Sequence, residues 1–120
     1  MKGQLIPLVI FPRYSGFSGA GEFVTAALEV DSYQGATIDL WRGKLLGSAS
    51  PTVTFVFQYS VDGNAWSNYP AVSDPGEDTV GTYVISAFLA RWLRAKVTLA
   101  GTDPAVSIWV SGVIEDRVAS

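Results

Sequence analysis

The 120-residue sequence contains neither cysteine nor histidine. The first absence excludes a disulfide framework and a thiolate zinc site, so the fold has to be held by packing in any redox compartment. The second removes the commonest general base and metal ligand, and with it every Ser-His or Cys-His nucleophilic arrangement. Charge is scarce too: 16% of the residues are charged, against roughly 25% in an average soluble protein. The eight basic residues form no cluster among eleven acidic ones, for a net charge of −3. Nucleic-acid binding is therefore not expected, because neutralising phosphates takes grouped cations. No apolar run reaches the about 18 residues of a membrane-spanning helix. Met1-Lys2 followed by Leu5 to Phe11 has the outline of a signal peptide. Pro7 interrupts the run, however, and Pro12-Arg13 stands where a small-residue cleavage site belongs. The expectation is a chain without a leader, soluble or part of an assembly.

What the chain does have is apolar residues, 48% of the total. Its length fits a single domain with one modest core. A small sandwich buries one face of each sheet, so part of this surplus is expected to cover an interface between subunits. Turn signals recur at short intervals: Ser15-Gly16 through Gly21, Gln34-Gly35, Gly43 to Pro51, Asp62-Gly63-Asn64, Ser73 to Gly76, Gly81, and Gly101 to Pro104. The segments between them are rich in Val, Ile, Thr and aromatics, the mark of many short strands.

Alternation is strictest in Thr52 to Ser60, which puts Val53, Phe55, Phe57 and Tyr59 on one face. Ala36 to Trp41 turns Ile38 and Leu40 inward, and Arg91 to Leu99 turns in Leu93, Ala95, Val97 and Leu99. In the last strand Val106, Ile108, Val110, Gly112 and Ile114 share a face. Glu22 to Val30 alternates less cleanly, with Val24, Ala26, Leu28 and Val30 as one set and Phe23, Thr25, Ala27 and Glu29 as the other. Ser86 to Ala95 is the best helical candidate, but strand-like neighbours on both sides outweigh it. With Leu5 to Phe11 and Thr79 to Phe88 this makes seven to eight strands. The predicted fold is all-β, a single antiparallel β-sandwich, jelly-roll or immunoglobulin-like. Residues 1–21 form an N-terminal arm or edge strand plus a Gly/Ser-rich loop, set apart by Pro7 and Pro12, and residues 22–120 form the sandwich.

Acidic residues group at Glu29 and Asp31, at Asp74, Glu77 and Asp78, and at Glu115 and Asp116. A glycosidase-type pair needs two carboxylates facing across a cleft, with one pKa raised, and nothing in the spacing demands that. Calcium at Asp74, Glu77 and Asp78 would use loop carboxylates, but the spacing matches no EF-hand loop. Gly16, Gly19 and Gly21 lack the strand-to-helix setting of a phosphate cradle. The reading is a non-enzyme with no metal and no cofactor. The turn from Tyr59 to Trp66 and the later Arg91-Trp92-Leu93-Arg94 read first as structure, a tight Asp62-Gly63-Asn64 turn with an aromatic folding back over the sandwich end.

Those two motifs also resemble discoidin-type (F5/8 C) jelly rolls, many of which bind glycans or phospholipid surfaces through end loops. The chain is shorter than such domains and lacks their terminal cysteine pair. A broader likeness, from Val30 to Ile114, is to small β-sandwich virion structural proteins of tailed bacteriophages. It is carried by Ser50 to Thr54, the Tyr59 to Trp66 turn, Trp92 to Ala95, and Thr98 to Ala105. That resemblance implies a capsid decoration (cementing) protein, made in the host cytoplasm and located on the virion capsid surface. Its partners would be the major capsid protein and further copies of itself, a trimer where the shell offers three-fold sites. The expected contacts are Leu5, Ile6, Leu8, Val9, Ile10 and Phe11 of the arm with the outward aromatics Trp41 and Trp109. The alternative is a carbohydrate-binding module that stacks sugars on Trp66 and Tyr69.

Overall fold

The computed structural model describes residues 5–116, the side chain of Ala49 excepted. Residues 1–4, where the arm segment begins, and residues 117–120 at the end of the sandwich segment lie outside the described residues. The described residues are all-β, and their strands pair antiparallel; there are eight among them: β1 (Leu5–Ser18), β2 (Gly21–Val24), β3 (Leu28–Glu29), β4 (Tyr33–Arg42), β5 (Leu46–Ser60), β6 (Ser67–Asn68), β7 (Thr79–Ile85) and β8 (Trp92–Asp116).

The architecture is organised by β8. Its 25 residues would span about 80 Å if straight, yet the longest dimension of the molecule is 54 Å. The strand therefore bends, and the two segments expected as separate strands, Arg91 to Leu99 and Val106 to Ile114, are the two limbs of one. On one side of β8 the chain runs as β1, β2 and β3, from Leu5 opposite Glu115 to Glu29 opposite Trp92. On the other side β4 and β5 run from Tyr33 opposite Asp116 to Ser60 opposite Trp92. The result is a three-stranded ribbon folded in half. Connectivity requires the fold: the chain leaves Glu29 at the Trp92 end of β8 and re-enters at Tyr33, at the Asp116 end. Four residues of chain span at most about 14 Å, so the two ends of β8 must lie close together.

The first layer holds β5, the Trp92 limb of β8, β2 and β3, with β6 added to β5. The second holds β1, the Ala105 to Asp116 limb of β8, β4 and then β7. All three paths turn the corner at one level, marked by Gly19 and Gly21, by Gly47 and Ser50, and by Gly101 and Asp103, every one at positive φ. At Gly101, with φ near +112°, a Cβ would stand 2.8 Å from Pro51 Cα, so glycine answers to a close approach as well as to the backbone.

The corner also changes which residues face inward. On β8 the buried set is Leu93, Ala95, Val97 and Leu99 before the bend and Pro104, Val106, Ile108, Val110 and Ile114 after it. On the β4–β5 path it passes from Ala36, Ile38 and Leu40 to Val53, Phe55 and Phe57. These residues form one core between the layers, across which the Phe57 ring stacks on Tyr83, centroids 5.1 Å apart. Each fully buried side chain of this size contributes about 1.5–3 kcal/mol, so the alternating apolar sets hold the layers together.

Two strand expectations need correction. In Glu22 to Val30 the core-packed residue of β2 is Phe23, while Val24 is exposed; the break at Thr25 to Ala27 changes the phase before Val30 is buried. The last expected strand before β8, Thr79 to Phe88, ends at Ile85, and Ser86 to Arg91 bends across to the first layer.

Candidate interaction face

Register places the outward side chains of the second layer in rows across β1, β8, β4 and β7. One row reads Pro7, Val113, Thr37 and Val84; the next Val9, Ser111, Asp39 and Thr82; the third Trp109, Trp41 and Val80. Leu5 stands at the edge beside Glu115. The middle row starts from the exposed Val9 and continues through polar residues tied internally, Thr82 Oγ1 donating to Asp39 Oδ1 at 2.9 Å. The rows on either side of it are apolar bands.

The tryptophan band is capped by a bulge. Pairing of β1 with β8 slips between Phe11 and Ser15, and Tyr14 sits at φ near +60°. This folds Arg13 and Tyr14 over the face. The Arg13 guanidinium lies 4.7 Å from the Trp109 ring centre, and the Tyr14 ring meets Trp41 edge-on at 5.4 Å. Trp41 Nε1 donates to Asp78 Oδ1 at 3.2 Å. Around Tyr14, Trp41, Lys44 and Leu46 an open groove of about 540 Å³ continues the face toward the corner.

Leu5 (61% exposed), Val9 (63%), Tyr14 (66%), Val80 (52%) and Val84 (60%) belong to this face. They are half of the ten large apolar residues that stand exposed in the described chain. A second apolar feature, a cleft of about 260 Å³, lies where Leu8, Val9 and Ile10 of β1 approach Thr25, Ala26 and Leu28 across the open side of the sandwich.

The expected contact residues divide accordingly. Leu5, Val9 and Trp41 share the face. Leu8 and Phe11 are buried core residues rather than partner contacts, because β1 is an edge strand here and its alternate residues turn inward. Ile6 and Ile10 are half-buried against the core. Trp109 is on the outer side as expected, but at 8% exposure it is covered by its neighbours. Val80, Val84 and Tyr14 were not anticipated. The alternation of Thr79 to Ile85 carried the signal for the two valines, whereas a three-residue bulge leaves no periodic trace for Tyr14.

The sugar-stacking pair does not form a platform. Tyr69 is 6% exposed, its ring against Tyr59 at 4.9 Å and its hydroxyl accepting from the Leu89 amide at 3.1 Å. Burial pushes its pKa up. Trp66 carries the Arg94 guanidinium 4.3 Å from its ring centre, and Arg94 Nε in turn donates to Gln58 Oε1 at 2.8 Å. The turn that leads into Trp66 is built for structure. Ser60 Oγ accepts from the Gly63 amide, and the Asp62 carboxylate accepts from the amides of Asn64 and Ala65, which hold its pKa below the ordinary carboxylate value.

The acidic groups are engaged likewise. Asp74 receives both Arg42 Nε and Nη2, at 2.7 and 3.0 Å, an arrangement that lowers the Asp74 pKa and raises that of Arg42. Glu29 pairs with Arg91 at 3.1 Å. Among the described residues no group of three or more Asp and Glu side chains is placed to hold a metal ion. No family model, no curated protein and no solved structure matches the chain.

Proposed function

We propose that the chain is a non-catalytic assembly protein of a bacteriophage virion, a capsid decoration protein that lays the outer face of its second layer on the shell. The observation that carries this reading is the gathering of Leu5, Val9, Tyr14, Val80 and Val84 on one face. The virion itself comes from the sequence resemblance spanning Val30 to Ile114. The major capsid protein supplies the partner surface, and burial of the two apolar bands supplies the energy.

The magnitudes favour use of the whole face. Covering one Val or Leu side chain contributes at most about 1.5–3 kcal/mol, whereas association costs on the order of 4–15 kcal/mol in lost motion. One side chain falls short of that cost, whereas the apolar residues of the face buried together come into its range. Repetition over a lattice raises the effective affinity further. The test is co-sedimentation of the purified chain with undecorated capsids, followed by imaging of the shells. Added density is expected with the wild-type chain and loss of at least tenfold in binding with Val9→Lys. Shells that remain bare at saturating protein would overturn the proposal.

A further inference from the structure

We infer that β7 is a self-complementary edge that pairs antiparallel with β7 of a second copy, joining two second layers across a two-fold axis. This inference goes beyond the virion reading and does not depend on it.

Three observations carry it. First, β7 is the terminal strand of its layer: among the described residues no strand pairs with its second edge. A groove of about 290 Å³ bounded by Tyr69, Pro70 and Leu89 lies along its Tyr83 to Ile85 end. Second, β7 lacks the usual devices that discourage edge pairing. Thr79-Val80-Gly81-Thr82-Tyr83-Val84-Ile85 holds no charge and no proline, and its pairing with β4 is unbroken. By contrast β1 carries Pro7, Pro12 and two register shifts. The open part of β5 borders the polar outer face through Thr52 and Thr54.

Third, the outward positions of the strand, Val80, Thr82 and Val84, read the same in both directions about Thr82. An antiparallel pair centred there sets Val80 against the partner copy's Val84, Thr82 against its own counterpart, and Gly81 against Tyr83. A two-fold contact requires this reciprocity, since each surface must meet itself. Val–Val and Thr–Thr are favourable cross-strand pairs. Gly81 and Tyr83, the inward pair, are packed within each copy, Gly81 against Pro75 and Tyr83 against Phe57 and the Pro70 carbonyl, and so add no clash. The acidic Glu77 and Asp78 fall opposite Ala87 and Ser86, so no like charges meet. The apolar bands of two copies would become continuous through Val80 and Val84.

The absence of native cysteine makes the register directly readable. Cα atoms directly opposite in an antiparallel pair lie about 4.5–5.5 Å apart, within disulfide range. Under mild oxidation Thr82→Cys is expected to give a cross-linked dimer, whereas Val80→Cys alone cross-links at least tenfold more slowly. An equimolar mixture of the Val80→Cys and Val84→Cys chains should cross-link readily. Light scattering of the unmodified chain at about 100 µM should report twice the 12.8 kDa chain mass. The double variant V80K/V84K should halve it with an unchanged circular dichroism spectrum, while Thr54→Lys on β5 leaves the dimer intact. A monomer or a trimer at that concentration, equal cross-linking of Thr82→Cys and Val80→Cys, or dissociation by Thr54→Lys in place of V80K/V84K would overturn the inference. Val9→Lys, outside the β7 contact, is expected to lose shell binding while remaining dimeric, so failure of either proposal is distinguishable from failure of the other.

Discussion

The two outer faces of this molecule come from the same kind of strand and have opposite chemistry. On the first layer the outward positions hold, beside the exposed Val24, a largely polar surface that is fastened internally. Lys96 pairs with Glu22 at 3.2 Å, and Arg94 donates to Gln58, whose amide donates to Asn68 at 2.8 Å. On the second layer the corresponding positions hold Leu5, Val9, Val80 and Val84, each more than half exposed. The inward sets of both layers are equally apolar and equally buried. What differs is therefore not what the fold needs for stability, since folding consumes the inward residues and leaves the outward ones free to specialise. One face is fastened within the chain; the other is the one proposed above to meet the shell.

That contrast sets the order of expected effects. The largest lies between the faces, where both layers depend on the same ring: Phe57→Ala removes a side chain buried to 1% exposure and stacked on Tyr83. It should cost about 3–5 kcal/mol, read as a lowered denaturation midpoint. An intermediate loss is expected on the polar face. Arg94→Ala strips the donor from the buried Gln58 amide oxygen and the guanidinium from Trp66, for about 1–3 kcal/mol. A value near zero there would show that the network is ornament and remove the distinction between the faces.

Acid should act on the loops flanking both layers. Asp62 and Asp74 have folded-state pKa values lowered, the first chiefly by backbone amides and the second chiefly by Arg42. The unfolded chain takes up protons on these groups first, at the ordinary carboxylate value of about 4. The stability they contribute is thus fully present above that value and is lost as pH falls through the lower folded values. Urea midpoints measured from pH 6 down to pH 2 should decline from about pH 5, and Asp74→Asn should flatten part of that decline. The smallest effect is on the apolar face outside the β7 contact, where Leu5→Ser and Val9→Ser should change stability by no more than about 0.5 kcal/mol. A larger loss would mean that this face belongs to the core of the monomer.

Much of the fold was legible before any coordinates. Val53, Phe55 and Phe57, Ile38 and Leu40, Leu93 to Leu99, and Val106 to Ile114 alternate because a strand turns successive side chains to opposite sides, and a core can accept only one of the two sets. The candidate face was legible only in part. Leu5, Val9 and Trp41 are expected contacts that share it, but apolar content alone, in a segment read as arm or edge strand, does not tell that Leu8 and Phe11 turn inward once it pairs with β8.

The sequence by itself determined that the chain is all-β, where most strands lie, and which residues each limb buries, since these depend on a two-residue period and on local turn chemistry. Only the tertiary structure decided that Trp92 to Asp116 is a single strand bent between two layers. It also decided that three separate paths share one corner, and that residues as distant in sequence as Leu5 and Val84 stand on one face. Pairing is a non-local choice, and the irregular residues at the corner shift the inward phase from one limb to the next. No periodic pattern read along the chain carries across such a shift.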